Sequence, residues 1–128
     1  MRKTVLIADD SLFMRTYLKS LLNREQYIVI SEARDGEEAV NKYKEHLPDI
    51  VLLDITMPKV SGVDALIEIK KYNPKATVIM CSAMGQKSII IDSIRKGAKD
   101  FIIKPYFNNL VRILNNIEAD WDSAKIKA

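Results

Sequence analysis

Five short runs rich in Val and Ile recur along the chain: Thr4 to Ala8, Tyr27 to Ala33, Ile50 to Leu53, Thr77 to Cys81 and Phe101 to Ile103. Each is followed by a stretch of helical period, and this alternation predicts a parallel sheet joined by crossover helices. Three of the runs are almost wholly apolar, as strands covered on both faces must be. The second alternates more and reads as an edge. The helical stretches have readable faces with positions three and four apart. These are Met14, Leu18, Leu21 and Leu22 in the first, Ala39, Val40 and Tyr43 in the second, and Leu66, Ile69 and Lys70 before a Pro74 stop in the third. A fourth runs from Lys87 to Lys96 and ends at Gly97, a natural cap. In the last, Phe107, Leu110, Val111, Leu114, Ile117 and Trp121 share one stripe.

Five such units predict the α/β class, a doubly wound five-stranded parallel sheet of flavodoxin-like order 2-1-3-4-5 with five helices. Neither a linker nor a second domain is found. One domain is expected over residues 1–121, with a frayed tail at 122–128 where the stripe is lost. With 128 residues, 48% of them hydrophobic and 29% charged, the chain is long enough for a substantial core, and disorder and collagen-like folds are excluded. No apolar run approaches the roughly 20 residues of a membrane span. Behind the basic start Met1-Arg2-Lys3, the first apolar segment meets Asp9 and Asp10 too soon for a signal peptide, and Cys81 has no partner for a disulfide. The expected location is cytoplasmic. A net charge of +3 from scattered basic residues gives no nucleic-acid footprint, and the tyrosines form no stacking platform.

In such a sheet, sites form outside the carboxyl ends of the strands. There the sequence places Asp9 and Asp10 after the first strand, Asp54 after the third, Ser82 after the fourth and Lys104-Pro105 after the fifth. Asp10 or Ser11 can instead be a plain helix cap. Ser82 and Lys104 taken singly are ordinary strand-end residues. Asp54 is harder to dismiss, because it closes the buried run Ile50 to Leu53, where an unpaired carboxylate is costly. Three clustered carboxylates repel one another and need a cation. Oxygen-only ligation points to Mg²⁺. His46, the one histidine, precedes Leu47-Pro48 at the far end of a helix and is expected at the surface. A hard cation, a lysine and a hydroxyl together suit phosphoryl transfer. Asp54 is then the acceptor, Asp10 with Asp9 holds the metal, and Lys104 and Ser82 contact phosphoryl oxygens.

The pieces Leu6-Ile7-Ala8-Asp9-Asp10-Ser11, Ala33-Arg34-Asp35-Gly36-Glu37-Glu38-Ala39, Leu53-Asp54-Ile55-Thr56-Met57-Pro58 with Gly62, Cys81-Ser82-Ala83-Met84 and Gly97 to Pro105 occur in this order. Over roughly Lys3 to Ile117 the chain resembles the receiver domain of two-component response regulators, most of all its stand-alone chemotaxis members. The resemblance implies Asp54 as phosphoacceptor and Asp9, Asp10, Asp54 and the Thr56 backbone carbonyl around Mg²⁺. It implies Ser82 as switch hydroxyl, Lys104 as phosphate contact, Phe101 at the switch-aromatic position, and Thr56 and Met84 as residues that tune the rate of phosphoryl loss. The implied partners are a histidine kinase, a phosphatase, and a motor-switch or other effector protein on the face made by the fourth helix, fifth strand and fifth helix. The protein would be a signalling phosphoprotein rather than an enzyme. A phosphorelay intermediate, or an adaptor outside motility, is the alternative role. A phosphatase of the haloacid dehalogenase type would need an acid where Thr56 stands, and a flavodoxin would need amide donors where Asp9 and Asp10 stand.

Overall fold

The computed structural model describes residues 3–23 and 26–127, with side chains described as far as residue 119. The elements alternate as β1 (Lys3–Ala8), α1 (Leu12–Leu22), β2 (Tyr27–Ala33), α2 (Gly36–His46), β3 (Ile50–Asp54), α3 (Gly62–Tyr72), β4 (Val78–Ser82), α4 (Lys87–Arg95), β5 (Asp100–Ile103) and α5 (Leu110–Lys127). All strands are parallel, in the order β2-β1-β3-β4-β5. This is the expected topology. β4 sits one residue later than the periodicity predicts, because Ser82 still pairs with Ile103 of β5. α5 is helical to Lys127, and the side chains of residues 120–128, which include the stripe position Trp121 and the expected tail 122–128, lie outside the described residues.

Successive strand residues point to opposite faces, so each apolar strand feeds two cores at once. Leu6, Ala8, Val51, Leu53, Val78 and Met80 pack under α2 and α3 against Ala39, Tyr43, Ala65, Leu66 and Ile69. Val5, Ile7, Ile50, Leu52, Ile79 and Cys81 pack on the other face against Leu18 and Leu22 of α1 and Leu110, Leu114 and Ile117 of α5. β2 is an edge, as expected. Its pairing with β1 slips by one residue between Val5 and Leu6, a bulge of the kind that discourages edge-to-edge association.

Three helices start on side-chain caps, each accepting a backbone N–H in the first turn. Ser11 Oγ takes the N–H of Met14 at 3.2 Å, Asp35 Oδ1 that of Glu38 at 2.8 Å and Ser61 Oγ that of Asp64 at 3.2 Å. The plain cap reading therefore holds for Ser11 and not for Asp10. α4 differs from its neighbours. It has no side-chain cap, buries only Ser93, and its C-terminal cap Lys96 is followed by Gly97 with φ of 108°, a conformation that favours glycine.

Leu66, fully buried between α3 and the sheet, tests the packing: Leu66→Ala is expected to cost about 2–5 kcal/mol. Urea unfolding should show a lower midpoint at unchanged slope.

Candidate metal centre

The carboxyl ends of β1 and β3 lie side by side in the sheet, and this adjacency assembles the site. Carboxylate oxygens of Asp9, Asp10 and Asp54 lie within 4.8 Å of one another. Asp9 and Asp54 are buried, at 2% and 5% exposure, while Asp10 is open to solvent. Lys104, just beyond β5, crosses the end of β4 to reach them. Its ammonium lies 2.6 Å from Asp9 Oδ2 and 3.2 Å from Asp54 Oδ2. Its own N–H donates to the Ser82 carbonyl at 2.8 Å, which fixes where the long side chain starts.

Burial pushes the Asp54 carboxyl up to about 6. The Lys104 ammonium opposes this, and the charges of Asp9 and Asp10 add to it. Burial also works against the charge on Lys104. The hydrogen bond from Lys104 to Asp9 and the fields of Asp54 and Asp9 outweigh it, so Lys104 lies above its ordinary value and stays charged. Three carboxylates against one ammonium leave a formal charge of −2 when all are ionised, and the donors are all oxygen. That set fits a hard divalent cation such as Mg²⁺ and does not fit a soft one. Cys81, which pairs with Asp54 in the β3–β4 ladder, is no competing ligand, since burial pushes its thiol up to about 12. His46 lies at the end of α2 beside Glu45, at the surface as expected.

Two supports were not among the expected site residues. Arg15, on α1, is buried. Its Nη1 donates to the Asp9 carbonyl at 2.8 Å and its Nε to Glu32 Oε1 at 3.0 Å. Lys19 adds a second bond to Glu32, and the two cations together hold the Glu32 carboxyl below its usual value in spite of its burial. Asp9 is thus tied from both sides, since its Oδ1 also accepts the N–H of Ser11 at 2.9 Å. The signal was present: Arg15 falls on the same helical face as Leu18 and Leu22, where a charge demands a partner. The second support is Gly62. A Cβ there would come within 1.9 Å of the Asp54 carbonyl oxygen, so α3 can start this close to β3 only on a bare backbone.

Of the other expected residues, Ser82 is buried, with Oγ accepting the N–H of Met84 at 3.0 Å, which leaves the hydroxyl proton free to be given elsewhere. Thr56 and Met84 are exposed on the two loops that flank Asp54. Phe101 is not in the acidic cluster. It pairs with Met80 across β4–β5, is partly buried against the α2–α3 core, and borders a cleft of about 250 Å³ with Ile103, Tyr106 and Ile113.

A buried carboxyl with a raised pKa destabilises the fold when ionised. The folded value of about 6 exceeds the ordinary value of 3.8, so the cost is present above pH 6 and is relieved as pH falls from 6 towards 4. In metal-free buffer Asp54→Asn is expected to be more stable than the parent at pH 8, by at most about 3 kcal/mol. The gain should vanish near pH 4, as read by urea unfolding.

Residues 5–117 match the family model described as the response regulator receiver domain. The chain is 52% identical to the chemotaxis protein CheY of Thermotoga maritima, over 91% of this chain and 98% of that one. It is 53% identical to CheY of Bacillus subtilis, over 83% and 88%. Among solved structures, the complex of CheX, CheY, BeF3 and Mg from Borrelia burgdorferi superposes with a TM-score of 0.87 at 42% identity, covering 90% of this chain and 88% of that chain. Fold, motif order and acidic cluster agree with these matches, and the chain belongs to the response regulator receiver family.

Proposed function

We propose that this receiver works in chemotaxis, and that Asp54 accepts a phosphoryl group from a histidine kinase. The observation that carries the assignment is the buried Asp54 carboxylate, 3.2 Å from the Lys104 ammonium inside an acidic cluster. One Asp54 oxygen attacks phosphorus, and the bond from phosphorus to the donor breaks with its electron pair leaving on the donor. Asp9, Asp10, Asp54 and the Thr56 carbonyl hold Mg²⁺, which when bound supplies the positive charge that offsets the phosphoryl oxygens. Lys104 stays charged throughout and contacts one of those oxygens, and the Ser82 hydroxyl donates to another. Water attack on phosphorus later returns the carboxylate and releases inorganic phosphate. Thr56 and Met84 offer that water neither acid nor base, so self-dephosphorylation is slower than in Thr56→Asn, whose amide could orient the water.

Output follows from the neighbourhood of Ser82. A hydroxyl drawn towards the phosphoryl group leaves space beside β4, and the Phe101 ring turns into it. The face changed by this movement carries Ile91, Ile94, Ile103 and Tyr106 exposed, with Lys87, Arg95, Lys96 and Lys99 around them. An apolar patch with a basic border suits an acidic amphipathic segment of a motor-switch or other effector protein. The similarity to CheY proteins favours the motor switch, and the Borrelia complex favours CheX as a further class of partner.

Acetyl phosphate with Mg²⁺ is expected to add one phosphoryl group, read by intact mass. EDTA should abolish the addition, and labelling that persists in Asp54→Asn would remove Asp54 from its role. Coupling is tested separately. Phosphorylation should raise affinity for an acidic amphipathic switch peptide several-fold, within the usual coupling of about 1–3 kcal/mol. Phe101→Ala should keep the labelling and lose that difference in a fluorescence-anisotropy titration.

A further inference from the structure

The opposite end of the sheet, where β4 and β5 begin, holds a second concentration of charge, of the other sign. A cleft of about 400 Å³ is lined by Lys70 of α3, by Lys75, Ala76 and Thr77 of the α3–β4 loop, and by Gly97 and Lys99 between α4 and β5. We propose that this cleft binds a small polyanion through a phosphate group.

The lysines around it divide into two kinds. Lys71 pairs with Glu68 at 3.6 Å and Lys96 with Asp92 at 2.8 Å. Lys70, Lys75 and Lys99, which line the cleft, have no carboxylate partner among the described residues, and no Asp or Glu lines it. Lys70 has a structural task as well, donating to the carbonyls of Pro74 at 2.7 Å and Ala76 at 2.9 Å. These bonds hold the loop that follows α3 and use two of its three protons. Lys75 and Lys99 stand outside both helices and make no such bond from their ammonium groups. Burial, and to a lesser degree the nearby Lys99 charge, hold Lys70 below its ordinary value.

A neutral donor completes the set. Thr77 is 9% exposed, and its hydroxyl makes no hydrogen bond among the described residues although it lines the cleft. The hydroxyl oxygen is not sealed from solvent, and it is free to donate to an acceptor oxygen in the cleft. Gly97 keeps the wall thin: a Cβ there would come within 2.9 Å of Lys70 Cε. The volume lies in the range of small-molecule sites, about 300–1,000 Å³. Lysine ammonium groups bind phosphate as point charges, and three of them favour a multiply charged group over a single carboxylate.

The test uses the whole chain in EDTA at constant ionic strength, so that the Asp54 cluster holds no metal and repels anions. Inorganic phosphate, pyrophosphate and ADP are titrated separately while backbone amide shifts are followed. The expected result is a saturating response at Ala76, Thr77, Gly97 and Lys99. It should be weakened several-fold in Lys75→Gln, in Lys99→Gln and in Thr77→Val, with unfolding midpoints showing each variant folded. Tighter binding of ADP than of pyrophosphate assigns the phosphate to a nucleotide-like ligand, and equal or weaker binding assigns it to free phosphates. Shifts that rise linearly without saturating, that chloride reproduces at equal ionic strength, or that persist unchanged in Lys99→Gln overturn the proposal.

Discussion

Two buried carboxylates share one ammonium at the carboxyl edge of the sheet. Asp9 and Asp54 would each be costly alone in that setting, and Lys104, 2.6 and 3.2 Å away, lets both stay there. The compensation is partial, because Asp10 adds a third charge and Asp54 is pushed up to about 6. A site left short of positive charge is stable as a fold and still attracts a divalent cation. The surrounding structure serves to hold these charges in place. Arg15 ties the Asp9 carbonyl to Glu32, Gly62 lets α3 start against Asp54, and the order β1-β3-β4-β5 sets how far Lys104 must reach.

The elements around the site are not held equally. α3 buries Gly62, Ala65, Leu66 and Ile69, while α4 buries Ser93 alone, and the Ser93 hydroxyl has no hydrogen-bond partner among the described residues. A helix with so little apolar anchoring and one unsatisfied buried polar atom belongs to the low-stability end of the structure. It follows Ser82 and precedes Phe101, so the least anchored helix lies between the acidic site and the face with exposed Ile91, Ile94, Ile103 and Tyr106. Rigidity at Asp54 and looseness at α4 are complementary. The first holds charges at fixed distances, and the second is the kind of element that the proposed coupling would use.

The two ends of the sheet carry opposite charge for a reason rooted in its parallel topology. All helices return to the same edge, so the caps of α1 and α3 and the acidic strand ends collect at one end, while the carboxyl ends of α3 and α4 collect at the other. At the second end Lys70 answers two carbonyls of the loop just past α3, those of Pro74 and Ala76. Lys75 and Lys99 exceed that need.

Element types, strand order and the identity of Asp9, Asp10, Asp54, Ser82 and Lys104 as strand-end residues were legible in the sequence. Apolar runs and helical spacing are local patterns, and in a parallel α/β sheet chemistry collects at one predictable edge. What only the tertiary structure decided was which groups touch. Nothing local says that Lys104 bonds Asp9 more closely than Asp54, that Asp10 is exposed while Asp9 is buried, or that Ser11 is the cap. Arg15 was visible as a charge on an apolar stripe, yet its partners Asp9 and Glu32 come from two other segments. The role of Gly62 depends on a carbonyl eight positions earlier in the chain, brought within contact only when α3 folds back. Pattern is carried by neighbours in sequence, whereas distances and burial, and the pKa shifts they cause, depend on segments far apart in the chain.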